Sequence, residues 1–313
     1  MRSRDVDVNG IRLRITEAGE GPVVLLLHGF LNLGWSWRAQ LAALADAGYH
    51  AVAPDLRGYG GSDAPEGVDA YTSLDLVGDV VGLIGELGDP APVVVGHDWG
   101  AMIAWQTALL RPDLVRGVAG VSVPYVPRGD LSLLAAMRAK FGDGYYMNYF
   151  QQPGVADAEL ARDVASALRG IYFQGSGSAE RIWDPVIPAG GGWLGQLPDP
   201  GHLPPWLSAE DFAPYVEAFE RTGFTGALNW YRAIDRSWRL LAPWHGVPVR
   251  VPAFFVYGED DAFANYAAPL IAGMAQTVPD LRGVVGIPGC GHWVQQETPD
   301  ELSEALLRFL GEL

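Results

Sequence analysis

The chain of 313 residues contains a single cysteine, Cys290, which excludes an intramolecular disulfide and any cysteine-based zinc site. Its six histidines fall into no H-E-x-x-H or comparable ligand spacing, so neither a metal nor another cofactor is expected. Positive charge is scarce: 21 Lys and Arg stand against 37 Asp and Glu, for a formal charge of −16. No basic run is present, which excludes a nucleic-acid partner. No stretch approaches the roughly 18 apolar residues of a membrane span. The start, Met1-Arg2-Ser3-Arg4-Asp5-Val6-Asp7, has no apolar segment of signal-peptide length behind its arginines. A cytoplasmic protein is the expectation, and a homodimer is left open. Internal repeats and low-complexity linkers are also missing.

What is present is enough apolar material, 49% of residues, to rule against disorder and to build a full core. Strand-like alternation on either side of Asn9-Gly10 predicts a hairpin over residues 5–15. Val23-Val24-Leu25-Leu26-Leu27 is a continuous apolar run, suited to a parallel strand covered on both faces. A helix through about Ala47, a strand over 50–55, a glycine-rich turn at Arg57-Gly58-Tyr59-Gly60-Gly61-Ser62 and a helix over 73–87 follow. After a strand over 118–124 the βαβα alternation stops. Residues 125–248 read as helices separated by loops, with a Pro/Gly-rich segment at 184–205 left without regular structure. Ser208 is placed to cap a helix. Strands over 252–258 and 282–287 and a helix over 299–310 complete the chain. The expected architecture is a mostly parallel, doubly wound α/β sheet: residues 1–124 and 249–313 form the core, and 125–248 a helical cap inserted into it.

The chemistry is concentrated at Val93-Val94-Val95-Gly96-His97-Asp98-Trp99-Gly100-Ala101, a buried strand, a glycine-bounded turn and a helix start. This is the context of a nucleophile elbow, G-x-S-x-G, with aspartate in place of serine. A carboxylate nucleophile suits attack on an electrophilic sp3 carbon and leaves an ester on the enzyme. Functional groups in open α/β sheets gather at the C-terminal strand edges, and those edges carry Phe30, Asp98, Asp261 and His292. His292 is the candidate general base. Asp261 is the candidate that orients it, with Glu259 and Asp260 in competition. The N–H groups of Phe30 and Trp99 are candidate oxyanion donors. His28 is expected to hydrogen-bond within the loop before Phe30 and His97 to be structural, while His50, His202 and His245 have no partner that the sequence reveals. Cys290 is expected to pack.

The Asp elbow, the 57–62 turn and Cys290-Gly291-His292-Trp293 together resemble the soluble-type epoxide hydrolases of the α/β-hydrolase fold, and the similarity runs through nearly the whole chain. It implies that Tyr145-Tyr146-Met147-Asn148-Tyr149-Phe150 and Asn229-Trp230-Tyr231 carry the family's two acid tyrosines, Tyr146 and Tyr231. Periodicity alone does not select these two among the twelve tyrosines. The expected reaction is addition of water to a small hydrophobic epoxide, giving a vicinal diol through an Asp98 ester. A haloalkane dehalogenase shares the nucleophile but expels halide, which needs no acid. A non-catalytic binder on the same scaffold is the remaining alternative. One departure stands out: the family usually has proline after His-Gly-Phe, and here Leu31 follows, so the oxyanion loop is expected to take another path.

Overall fold

Asn9 and Gly10 both take left-handed backbone, with φ of 47° and 76°, which matches the twist of a tight hairpin. They join β1 (Arg2–Val8) to β2 (Ile11–Ala18) in antiparallel register, Val8 opposite Ile11 and Arg2 opposite Glu17. The computed structural model describes residues 1–179 and 183–313, so three positions of the expected 125–248 cap lie outside the described residues. The hairpin leads into β3 (Val23–Leu27), β4 (His50–Pro54), β5 (Val93–His97), β6 (Gly117–Val121), β7 (Ala253–Gly258) and β8 (Leu281–Ile287). These form one sheet in the order β1-β2-β4-β3-β5-β6-β7-β8. From β4 to β8 all pairs are parallel, and β2 runs antiparallel to β4.

Helices α1 (Arg38–Asp46), α2 (Ser73–Leu87) and α3 (Trp99–Leu110) connect the first strands. Between β6 and β7 come α4 (Leu133–Phe141), α5 (Tyr146–Tyr149), α6 (Val155–Leu160), α7 (Val164–Gln174), α8 (Ala209–Thr222), α9 (Thr225–Arg232) and α10 (Ile234–Leu240). Two helices, α11 (Ala262–Tyr266) and α12 (Ala268–Thr277), follow β7, and α13 (Val294–Glu297) and α14 (Pro299–Gly311) follow β8.

Strands β3, β5 and β6 are buried at every residue, because helices cover both faces. Val24, Leu26, Val93 and Val95 pack against Leu41 and Leu44 of α1 and Leu302, Leu306 and Phe309 of α14. Leu25, Leu27 and Val94 point the other way, toward Leu76, Val80 and Leu83 of α2 and Ile103 of α3. Each such side chain contributes about 1.5–3 kcal/mol of transfer free energy. Helix α2 spans the expected residues because both ends are specified: Thr72 and Asp75 form a capping box, and Gly88 closes the helix in left-handed backbone. Ser208 caps α8 through the Asp211 N–H. Strand β6 stops at Val121, three residues before the expected end, because Ser122 turns to a φ of 65°. The 184–205 segment carries only a 3-10 turn at Leu194–Gln196 and an isolated pairing of Val186 with Tyr145. Among the described residues no helix is long and apolar enough to cross a membrane.

Candidate active site

Strand β5 delivers Asp98 to the centre of the sheet's C-terminal edge, and α3 begins at the next residue. The reversal requires Asp98 to adopt a φ of 53° and ψ of −119°, a strained conformation outside glycine that places its side chain above the sheet. Two glycines make the turn feasible by close approach. A Cβ on Gly96 would strike the Gly100 carbonyl, and one on Gly100 would strike the carbonyl of Leu27 in β3. Gly100→Ala is therefore expected to cost about 1–3 kcal/mol of stability, measured as a lower denaturant midpoint at unchanged slope.

The Phe30 N–H donates to Asp98 Oδ1 at 2.7 Å, and the Trp99 N–H, at the start of α3, is close enough to favour the ionised carboxylate. Leu31, in place of the usual proline, takes a φ of 58°, which a proline ring could not adopt. The loop thus follows its own path, yet the Phe30 donor reaches Asp98. The loop is held from below by His28, whose Nδ1 bonds to the Gly29 carbonyl at 2.9 Å while its Nε2 accepts from the Leu56 N–H at 2.9 Å. Burial lowers the His28 pKa to about 4, in keeping with a neutral ring that accepts at Nε2. It is held from above by Tyr172 of α7, whose hydroxyl donates to the Leu31 carbonyl at 2.6 Å.

His292 follows β8, and its Nδ1 lies 2.9 Å from Asp261 Oδ2. Its Nε2 faces Asp98 Oδ2 at 3.8 Å. Asp261 is fixed by its other oxygen, which accepts from the Phe263 N–H at the start of α11. Glu259 and Asp260 are exposed, and of the three adjacent acids Asp261 is the one that bonds His292. The His292 carbonyl is bonded by both His97 Nε2 and Ser122 Oγ, each at 2.8 Å. That explains the turn at Ser122 and the structural character of His97. Burial by itself disfavours a charged His292, but Asp261 and Asp98 outweigh it and raise the pKa to about 9. Burial raises the Asp98 pKa, opposed by His292 and the Phe30 and Trp99 N–H groups.

Tyr146 and Tyr231 reach the same space from α5 and α9, with ring centroids 6.2 Å apart. Tyr231 packs edge-on against Phe30, Trp99 and Phe150. Burial raises both phenol pKa values well above 10, and the nearby Asp98 charge adds to the shift. Both are therefore protonated donors in the resting site. Asp98, His292 and the two tyrosines line one cavity of about 370 Å³, with Phe30, Trp183 and Trp193 among its walls. A second cavity of about 380 Å³ shares Trp99, Met102, Val126, Leu133, Met147 and Phe263 with the first. Among the described residues no group of three or more His, Cys, Asp or Glu is placed to hold a metal ion.

Several supporting residues gave no signal in the sequence. The Gln151 amide donates to the carbonyls of Met147 and Tyr231 at 2.8 and 3.1 Å, tying one tyrosine segment to the other. Beside Tyr231, Arg232 bonds the Phe150 carbonyl and pairs with Asp157. Trp230 Nε1 donates to the Arg57 carbonyl at 3.0 Å, so the glycine-rich 57–62 turn serves as the seat of α9. His50 pairs with Glu17 at 2.8 Å, His245 contacts Arg128, and His202 bonds to the Leu203 carbonyl. Cys290 is buried.

Residues 22–299 match the α/β hydrolase fold family. The chain is 45% identical to epoxide hydrolase A of Mycobacterium tuberculosis, over 98% of this chain and 96% of that one. It is 42% identical to epoxide hydrolase 3 of Siraitia grosvenorii, over 97% and 96%. Among solved structures, an epoxide hydrolase from an endophytic Streptomyces superimposes with a TM-score of 0.96 at 43% identity, covering 99% of this chain and 95% of that one.

Proposed function

Because this chain belongs to the epoxide hydrolases of the α/β-hydrolase fold family, we propose that it opens a hydrophobic epoxide with Asp98 and releases a vicinal diol. The observation that carries the proposal is the placement of Asp98 and of two protonated phenols, Tyr146 and Tyr231, around one apolar cavity. Residues 125–248 act as the cap that contributes the phenols, and residues 1–124 with 249–313 as the core that contributes the nucleophile and base.

Asp98 Oδ1 is engaged by the Phe30 N–H, so Oδ2 is the attacking atom. It forms a bond to a ring carbon as the carbon–oxygen bond of the epoxide breaks, and the released oxygen takes a proton from a tyrosine. Burial first, with the Asp98 charge a smaller cause, holds both phenols protonated. As that charge is consumed, the phenols become more acidic at the moment when the alkoxide needs a proton.

Formation of the ester also removes one of the three carboxylates, Asp261, Asp98 and Glu297, that hold His292 near 9, which releases the imidazole toward its neutral, basic form. His292 then takes a proton from water, and the water oxygen attacks Cγ of Asp98. The tetrahedral oxyanion forms on Oδ1, which the Phe30 N–H already bonds and which the adjacent Trp99 N–H is the candidate to join as second donor. Collapse breaks the Cγ–Oδ2 bond. The diol leaves carrying Oδ2 and the His292 proton, and ionisation of the new Asp98 carboxyl returns a proton to the tyrosinate.

The two adjoining cavities support a substrate with apolar arms on either side of the epoxide, since Met102, Leu133, Met147 and Phe263 line both. One turnover in heavy-oxygen water with enzyme in excess tests the route. The expected diol is unlabelled and the label resides in Asp98, read by peptide mass spectrometry. Label appearing directly in the diol rules out the ester. Halide release from bromoalkanes without diol formation from any epoxide would assign the site to dehalogenation.

A further inference from the structure

We propose that Glu297 is a positioning residue for the general base, fastening the loop that carries His292 to the 175–178 strip of the cap. This rests on the reading of Asp98 as nucleophile and His292 as the base of the second step.

The Glu297 carboxylate, at the end of α13, accepts four hydrogen bonds. Oε2 receives the Gly291 N–H at 3.1 Å, the Gly177 N–H at 2.9 Å and the Ser176 hydroxyl at 3.1 Å. Oε1 receives the Trp293 N–H at 3.0 Å. Gly291 and Trp293 are the two neighbours of His292, so one side chain grips the base's backbone on both sides. The Ser176 hydroxyl is itself committed, because it accepts from Trp206 Nε1 at 2.9 Å and from the Ser178 N–H at 3.1 Å. Its proton is therefore directed at Glu297.

Every contact to Glu297 is a donor, so the geometry requires an acceptor on both oxygens, as an ionised carboxylate provides. An amide in its place would turn an NH2 group toward an N–H. The neighbouring contacts are equally close. The His292 N–H donates to the Gly175 carbonyl at 2.7 Å, and Trp293 Nε1 donates to the Tyr172 carbonyl at 3.0 Å. A Cβ on Gly177 would strike the Gly289 carbonyl, and one on Gly291 would strike the Gly177 nitrogen. The two loops meet backbone to backbone, and Glu297 is the side chain that bonds both.

His292 acts as a base only in hydrolysis of the ester, whereas Asp98 and the tyrosines act in its formation. A defect in the mounting of His292 therefore separates the two steps. The charged or titratable groups around His292 are Asp98 and His97 at the end of β5, Asp261 after β7, and Glu297; those around Glu297 are His292 and Cys290. The Glu297 charge favours the protonated imidazole, so its removal moves the acid limb of ester hydrolysis to lower pH.

The test is rapid quench of wild-type protein and Glu297→Gln after mixing with styrene oxide, with the alkyl-enzyme followed by intact mass. The expected result is ester formation within about threefold of wild type and ester hydrolysis slower by about 10–100-fold, the range for small misplacement of a reacting group. The acid limb is expected to move down in Glu297→Gln and to stay in place in Glu297→Asp, which keeps the charge. Equal slowing of both steps, or hydrolysis at the wild-type rate, overturns the proposal. Should Glu297→Gln not fold, the same comparison on Glu297→Asp decides: its shorter reach is expected to slow hydrolysis alone, and unchanged hydrolysis overturns the proposal. An absence of ester in wild type and in His292→Gln alike defeats the underlying reading instead, and the proposal with it.

Discussion

His292→Gln is expected to convert the enzyme into a stoichiometric trap, with a protein mass increased by one substrate and turnover reduced by about 10³-fold or more. The first step does not use the imidazole as a base, so alkylation of Asp98 should proceed. The second step needs a group that takes a proton from water beside Cγ, and His292 Nε2, 3.8 Å from Oδ2, is the base in that position. Glutamine keeps the volume and a polar end but cannot accept and return a proton at neutral pH. The same loss removes the cation that helps keep Asp98 ionised, so a modest slowing of ester formation is also expected, smaller than the effect on hydrolysis. Intact-mass spectrometry after incubation with epoxide reads the trap directly. A protein that stays unmodified under conditions where wild type turns over would remove Asp98 and His292 from their assigned roles.

The double variant Tyr146→Phe/Tyr231→Phe is expected to lose about 10³–10⁴-fold in the rate of ester formation, or about 4–5.5 kcal/mol of barrier. An alkoxide is a far poorer leaving group than a halide, and Tyr146 and Tyr231 line the cavity that holds Asp98 from the cap side. Phenylalanine preserves the edge-on packing of ring 231 against Phe30, Trp99 and Phe150, so the loss isolates the proton donor from the packing. Each single variant should retain part of the rate, because the partner phenol remains within the same cavity, and the two effects should not add. Single-turnover ester formation is the measurement. Unchanged formation in the double variant would return the site to a leaving group that needs no acid.

The core of this molecule was legible because its signals are local. Asn9-Gly10, the uninterrupted run 23–27 and the glycine-bounded Asp98 each dictate a conformation from a few adjacent residues, and the structure places each as read. Asp261 was harder, since three acidic residues lie side by side and only three-dimensional packing exposes Glu259 and Asp260 while burying Asp261. Tyr146 and Tyr231 could be named only through family resemblance, because 85 positions separate them and no periodicity links them. Gln151, Tyr172 and Glu297 were beyond reach for the same reason. They bond to backbone atoms distant in sequence, and a backbone acceptor or donor leaves no mark on residue type. Leu31 is the converse case. Its departure from proline pointed to another path for the loop, and contacts from His28 and Tyr172 hold that path with the Phe30 N–H bonded to Asp98.

Helix α7 bonds the oxyanion loop through Tyr172 and leads directly into the carbonyl of Gly175 that holds the His292 backbone. Swinging the cap aside would therefore dismantle the very parts that await the substrate. On the proposed reaction, an epoxide that reaches Asp98 with the cap in place passes along the second cavity, whose walls include the exposed Val126, Leu131 and Leu270. In that reaction the traveller inward is an oily epoxide and the traveller outward a diol with two hydroxyls, so the same greasy corridor that speeds arrival would retard departure. Exit of product thereby joins the chemistry as a step that can set the pace of turnover, and side chains such as Met147, shared by both chambers, become doorposts as much as binding surface.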